Sequence, residues 1–218
     1  MNDDQVDVVL PCLDEAGALP QVLAALPERY RAIVVDNGSR DGSAEVAAAL
    51  GAKVVHEPRR GYGAAVHTGL EAATADVVCF ADADGSLDLA ELPILVGGLA
   101  GADLAVGRRV PTGPGVWPWH ARAGNMLVSA LLRRQGSPVH DIAPLRAVRR
   151  QALLDLGVAD RAFGYPLELL IKAGRAGWRI AEFDVRYGER AKGTKSKVSG
   201  SLRGTLRAAR DFGRVLSR

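Results

Sequence analysis

Short apolar runs recur along the chain with helix-forming stretches between them. Val6–Leu10, Ala32–Val35, Lys53–Val55, Asp76–Ala81 and Asp103–Val106 are rich in Val and Ile and read as strands; Ala18–Leu26, Ser43–Leu50, Ala64–Ala73 and Asp88–Leu99, rich in Ala and Leu, read as helices. The strands are continuously apolar rather than alternating, so both of their faces are buried, as in a parallel sheet wrapped by helices. The pattern predicts an α/β domain of the doubly wound kind. Beyond it, Pro111–Pro118 (PTGPGVWP) is a turning connection of the sort used for lids. His120–Arg134 then reads as a helix, Ile142–Val148 as a strand, Pro166–Ala176 as a helix and Trp178–Arg186 as a strand; Lys192–Ser199 is polar, and Ser201–Leu216 is a last helix candidate.

At 218 residues, 48% hydrophobic and 24% charged, the chain is long enough for one large domain with a real core. No apolar stretch reaches the roughly 18 residues of a membrane span, and MNDDQVDVV lacks the basic and apolar regions of a signal peptide, so a cytoplasmic chain is expected. Cys12 and Cys79 sit in or beside predicted strands, as reduced packing residues rather than a disulfide or a zinc site. His56, His67, His120 and His140 are scattered, without metal-site spacing. The net charge of +3 is uneven: nine Lys and Arg against Asp211 alone lie between Arg190 and Arg218, a surplus of 8, so residues 1–189 sum to −5.

Three polar loops follow predicted strands: Pro11 to Glu15, Asp36 to Gly42, and Asp82-Ala83-Asp84-Gly85-Ser86. Ligands of such sheets bind outside the carboxyl ends of the strands, so the three loops should face one crevice. Taken alone, Asp36 to Gly42 reads as well as a turn with a helix cap. Asp82 and Asp84 are different, because alternate carboxylates at the end of a buried strand carry charge that is costly to bury unpaired. A divalent ion held by their oxygens and bridging two phosphates of a nucleotide answers that need.

Two glycine-rich segments invite misreading. Arg59-Arg60-Gly61-Tyr62-Gly63 is not a dinucleotide fingerprint, since residue 66 is Val and the motif does not follow the first strand; it reads as backbone approaching a nucleotide with Arg60 near the phosphates, or as a loop before a helix. Gly188 to Ser196 misses the phosphate-loop pattern because Thr194 stands where Lys is required.

Read together, these segments resemble the family 2 glycosyltransferases of the GT-A fold, and among them the dolichol- or polyprenol-phosphate sugar synthases. The resemblance is carried by Pro11 with Asp14-Glu15, Val34 to Ser39, Arg60 to Ala65, the FADADGS run, Gly107-Arg108-Arg109, Asp141 with Pro144-Leu145-Arg146, Gly164-Tyr165-Pro166 with Glu168, and Arg190 with Ser196-Lys197. It implies a GT-A domain over residues 1–198, with 199–218 a basic amphipathic helix of the same domain, and an inverting transfer of sugar from a UDP- or GDP-sugar. By similarity Asp36 would hydrogen-bond the base, Asp14 and Glu15 would lie near base and ribose, and Pro11, Asn37, Arg60, Gly61 and Ala83 would complete the nucleotide site. Asp82 and Asp84 match the family's metal motif for magnesium or manganese, Asp84 as direct ligand and Asp82 closer to the ribose or a metal-bound water. Departures stand beside the matches: Asp14 replaces the usual Asn, Arg108 the Ser of a Gly-Ser-Arg element, and Ser86 occupies a position where Gln can occur.

On the acceptor side the resemblance and the arginines point the same way. Arg109, Arg122, Arg146 and Arg190, with Ser196 and Lys197, lie in segments expected to rim the crevice, where converging arginines usually mean a phosphate or carboxylate ligand; any one of the arginines other than Arg109 also reads as a solvated surface residue. A phosphate acceptor has a second pKa of about 6 and needs no general base, whereas an alcohol acceptor does, with Asp141 and Glu168 as candidates or else as structural partners of arginines. Trp117 and Trp119 read either as a stacking surface for a sugar or as an anchor for the hinge. In the tail, Leu202, Leu206, Ala209, Phe212 and Leu216 share one helical arc beside an arginine arc, so that helix either lies on an anionic membrane or packs on its own domain. A polyprenol phosphate, a soluble alcohol and a phosphorylated metabolite are the acceptors in play. A nucleotidyltransferase would need a glycine-rich basic loop after the first strand, which VVLPCLDEAG lacks; a nonenzymatic nucleotide-sugar binder is the remaining class. Nucleic acid is disfavoured by an acidic crevice with basic residues confined to one end.

Overall fold

The computed structural model describes residues 5–191 and residue 210. Seven strands form one sheet in the order β3-β2-β1-β4-β6-β5-β7. β1 (Val6–Cys12), β2 (Tyr30–Asp36), β3 (Lys53–His56) and β4 (Val77–Phe80) are mutually parallel, and they alternate with α1 (Leu19–Ala24), α2 (Ser43–Ala49) and α3 (Tyr62–Ala72). A 3-10 turn at Leu89–Glu91 and α4 (Leu92–Gly98) lead to β5 (Leu104–Pro111), then α5 (Trp119–Arg134), β6 (Leu145–Arg149), α6 (Arg150–Leu156), α7 (Tyr165–Arg175) and β7 (Ile180–Tyr187). β6 runs antiparallel between β4 and β5, while β5 and β7 are parallel. The sheet is therefore mostly parallel with one reversed strand.

Continuous apolar strands bury both faces, as the sequence pattern requires. Val9, Ile33 and Val35 point toward α3, α6 and α7; Val8, Leu10 and Val34 point toward α1, α2 and α4. All of them are at most 2% exposed, so each contributes about 1.5–3 kcal/mol of transfer free energy. Cys12 and Cys79 are buried free thiols, and burial pushes Cys12 up to about 11.

Several boundaries differ from the sequence pattern for local reasons. α3 begins at Tyr62 rather than Ala64, because the N–H groups of Gly63 and Ala64 donate to the carbonyls of Ala162 and Arg161 and so cap a turn that has no side-chain cap. β5 runs past Val106 to Pro111, since its pairing with β7 continues to Pro111↔Tyr187. β6 starts at Leu145, not Ile142: Ala143 takes φ 48° and its N–H is held by Asp141, which bends the chain before the strand. α6 follows β6 with no intervening loop, and nothing in the apolar pattern announced it. The expected tail helix, the polar segment Lys192–Ser199, and with them Ser196, Lys197 and the boundary at residue 198, lie outside the described residues. No helix among the described residues is long and apolar enough to cross a membrane.

Candidate active site

The carboxyl ends of β1, β2, β4 and β5 meet the amino end of β6 along one edge of the sheet, because β6 is reversed. The loops after β1 and β2 are stapled to each other. Ser39 Oγ accepts from the N–H of Asp14, Asp14 accepts from that of Arg40, Asp41 from that of Ala16, and Ser43 Oγ from that of Glu15, all within 2.8–3.0 Å. Asp36 sits opposite Cys12 and accepts from the N–H groups of Ser39 (3.0 Å) and Gly38 (3.3 Å), with His56 Nδ1 at 3.3 Å. Burial works against its charge, but these donors prevail and hold its carboxyl below the usual range. Pro11 is half-buried at the end of β1, and Glu15 is buried beside this turn.

Asn37 and Gly61, expected at the nucleotide, have other work. Asn37 donates from Nδ2 to the carbonyls of Glu57 and Arg59, both at 2.8 Å, and accepts from the N–H of Gly61 at 2.9 Å, so its amide fastens the 57–61 loop to β2. A methyl group on Gly61 would overlap the carbonyl oxygen of Arg161, and one on Gly63 would meet the Asp160 carbonyl at 2.8 Å. These glycines admit the 160–162 backbone. Arg60 remains at the crevice, its guanidinium laid against Gly38 beside Asp36.

Asp82 and Asp84 follow β4. Asp84 is 4% exposed; its Oδ1 accepts from the N–H and hydroxyl of Ser86 at 2.9 and 2.6 Å, and its Oδ2 faces Arg190 Nη1 at 2.9 Å. Asp82 is half-buried, and Ala83 between them packs into the core. Burial and the neighbouring Asp84 push the Asp82 carboxyl up, against the pull of Arg190, Arg109 and Arg146. Among the described residues no group of three or more His, Cys, Asp or Glu converges. Two aspartates with hard oxygen donors fit a magnesium- or manganese-type ion that draws the rest of its shell from a diphosphate and water. The guanidinium on Asp84 marks the same demand for positive charge.

Arg109 closes the other side. Its Nε and Nη2 grip both oxygens of Asp141 at 2.8 and 2.6 Å, its own N–H donates to Asp141 at 2.9 Å, and its guanidinium lies over Trp117 (4.1 Å to the centroid) and near Tyr187 (5.4 Å). Asp141 is fully buried; burial raises its pKa, but the Arg109 hydrogen bonds and charge lower it further, leaving it below the usual range. Trp117 is thus a shelf for Arg109, while Trp119 is 81% exposed and meets the ring of His120. Glu168 accepts from the N–H groups of Ala159 and Asp160 at 3.1 and 2.6 Å and pairs with Lys172 at 3.4 Å; these partners outweigh burial and lower its pKa. Both candidate bases are engaged as structural partners.

The expected acceptor arginines do not all converge. Arg190 pairs with Asp84, and the charges of Arg190 and Arg109 both favour the ionised Asp82. Arg146 is 2% exposed, donates to the Ile142 carbonyl, and leaves Nε without a partner; burial lowers its pKa against the fields of Tyr62, Asp82 and Asp141. It lies beneath the crevice as a counter-charge. Arg122 is exposed on α5. Asn125, which sequence reasoning missed, accepts from Ile142 N–H at 3.0 Å, lies 3.5 Å from Arg109 Nη2 and donates to the His140 carbonyl at 3.2 Å. Its signal was faint: Asn125, Ser129 and Leu132 share one face of α5.

With this geometry in place, comparison with known proteins is direct. The family description Glycosyl transferase family 2 matches residues 7–157. The chain belongs to glycosyltransferase family 2. It is 59% identical over its full length to an uncharacterized glycosyltransferase of Mycobacterium tuberculosis that it covers completely. It is 33% identical to the undecaprenyl-phosphate mannosyltransferase of Micrococcus luteus, over 92% of this chain and 90% of that one. Among solved structures, glucosyl-3-phosphoglycerate synthase from Mycobacterium tuberculosis, in complex with Mn2+, UDP and glucosyl-3-phosphoglycerate, superposes with a TM-score of 0.75 at 28% identity, covering 97% of this chain and 78% of that one. The fold of this family 2 glycosyltransferase is GT-A, as its residues led one to expect.

Proposed function

We propose that this glycosyltransferase moves a sugar from a nucleotide-diphosphate donor to a polyprenol phosphate, with inversion and with a divalent ion at Asp84 and Asp82. A bound ion of that kind stabilises the charge gathering on the departing nucleoside diphosphate. The chain's own part is to hold the nucleotide against Asp36 and Arg60, to keep Asp84 oriented through Ser86, and to present Arg109 as a fixed cation to the acceptor.

The observation that carries the acceptor class is the engagement of both candidate bases. Asp141 is spent on Arg109 and Glu168 on the 159–160 backbone and Lys172, each with a lowered pKa. A carboxylate so paired is a poor proton acceptor, which favours an acceptor oxygen that is already anionic at neutral pH, and a phosphate monoester meets that condition. The likeness to an undecaprenyl-phosphate mannosyltransferase supports a lipid phosphate. A soluble phosphorylated acceptor is the second reading, favoured by the complex of the structural neighbour with glucosyl-3-phosphoglycerate. Purified protein given UDP- and GDP-sugars, manganese, and either polyprenol phosphate or 3-phosphoglycerate decides between them; sugar appearing only on the soluble acceptor overturns the lipid reading.

A further inference from the structure

α5 is built inside out. Its buried positions are Asn125, Ser129 and Leu132, two of them polar, whereas Trp119, Met126 and Leu127 are 81%, 60% and 65% exposed. Trp119, Ala123, Met126, Leu127 and Ala130 recur at three- and four-residue spacing and so share one face of the helix. Arg122 and Arg134 border that face and are exposed, whereas the neighbouring Arg133 donates from Nη1 to the Val139 carbonyl at 2.9 Å. No Asp or Glu occurs between Asp103 and Asp141, so the helix itself brings positive charge alone to this face.

We propose that this face of α5 docks on the surface of an anionic bilayer. The chemistry is that of an interfacial helix: an aromatic and two long apolar side chains enter the headgroup boundary, while flanking arginines reach anionic headgroups with their stems along the apolar layer. A second copy of the chain fits poorly, because a two-fold contact would set the same arginines against each other. The opposite face of α5 holds Asn125 against Arg109, so docking sets the Arg109–Trp117 shelf about 10 Å, one helix diameter, from the lipid. That distance suits an acceptor whose phosphate leaves the interface while its hydrocarbon stays within it. The purpose of the contact rests on the lipid-phosphate reading above; its measurement does not.

The test uses the full chain and vesicles of phosphatidylcholine, alone or mixed equally with phosphatidylglycerol, with no donor and no polyprenol phosphate present. Sedimentation with mixed vesicles but not with phosphatidylcholine alone is expected. Partitioning should fall about tenfold or more in Trp119→Ser/Met126→Ser/Leu127→Ser, and comparably in Arg122→Gln/Arg134→Gln. These are surface positions, and thermal melts check that each variant folds. Independently, brominated lipid should quench the tryptophan emission of the unaltered protein, and Trp119→Phe should lose most of that quenching. Absent sedimentation of the unaltered protein, unchanged partitioning of the apolar variant, or quenching that survives Trp119→Phe overturns the proposal. So does a halving of mass by light scattering in the apolar variant, which assigns the face to a second copy. Docking without sugar transfer to polyprenol phosphate leaves this inference standing and defeats the acceptor reading; transfer without docking does the reverse.

Discussion

Arg190 and Asp84 form an ion pair, Nη1 to Oδ2 at 2.9 Å, on the carboxylate proposed as the direct metal ligand. The segment carrying the arginine is laced to the metal loop as well, with Gly188 N–H donating to the Ser86 carbonyl at 2.8 Å and Ala191 N–H to the Asp84 carbonyl at 2.9 Å. A guanidinium therefore holds the oxygen that the proposed ion would take.

Replacing Arg190 by Met should raise the affinity for Mn2+ in the absence of nucleotide by about tenfold, the equivalent of a single charge-assisted contact. Titration calorimetry with Mn2+ alone reads it, and unchanged affinity would show that the pair does not gate the ion.

Asp84→Asn should lower kcat by about 100-fold or more while the thermal melt stays close to that of the unaltered protein, because the residue lies at a strand end and its Ser86 hydrogen bonds survive the change. Full turnover in Asp84→Asn, or in excess chelator, contradicts the metal assignment.

Breaking the buried pair is a different matter. Asp141→Asn leaves Arg109 without its counter-charge and should cost about 3–5 kcal/mol in urea unfolding, with the fluorescence of Trp117 reporting loss of the shelf.

Asp36, Asp141 and Glu168 all have folded-state pKa values below their ordinary ones. A depressed carboxylate contributes stability that is complete above its unfolded pKa and disappears as pH falls through the folded one. These three carboxylates should thus make stability fall steeply below about pH 4, while the raised Asp82 carboxyl adds the opposite slope, its contribution fading as pH rises through its elevated pKa. In Asp141→Asn the acid fall should be shallower, which acid titration of the unfolding free energy measures.

Gly61→Ala should destabilise by about 2 kcal/mol or more, since the added methyl meets the Arg161 carbonyl at φ 152°. If instead these glycines face only the nucleotide, the variant keeps its urea midpoint and loses donor affinity.

Much of this was legible in the residues, and the parts that were not have physical reasons. Continuous Val and Ile runs disclosed the buried strands, and Asp82 with Asp84 disclosed a demand for cations, because local composition decides both. The reversal of β6 was hidden: Ile142–Val148 reads the same in either direction, and only pairing with Val77–Phe80 orients it. For the same reason the grip of Asp141 on Arg109, across 32 positions of chain, had no local signature. The glycines of Arg60 to Gly63 advertised a close approach without saying to what, and the approaching backbone comes from residues 160–162.

The reversed strand divides the molecule into two consecutive halves. Every strand before residue 100 belongs to the β3-β2-β1-β4 side with Asp36, Asp82 and Asp84, and every strand after it to the β6-β5-β7 side with Arg109 and Asp141; the β4–β6 seam joins them. On the assignment proposed above, the donor residues and the pair Arg109–Asp141 lie in consecutive stretches of the gene product, and Arg190 of the second stretch reaches back to Asp84 of the first.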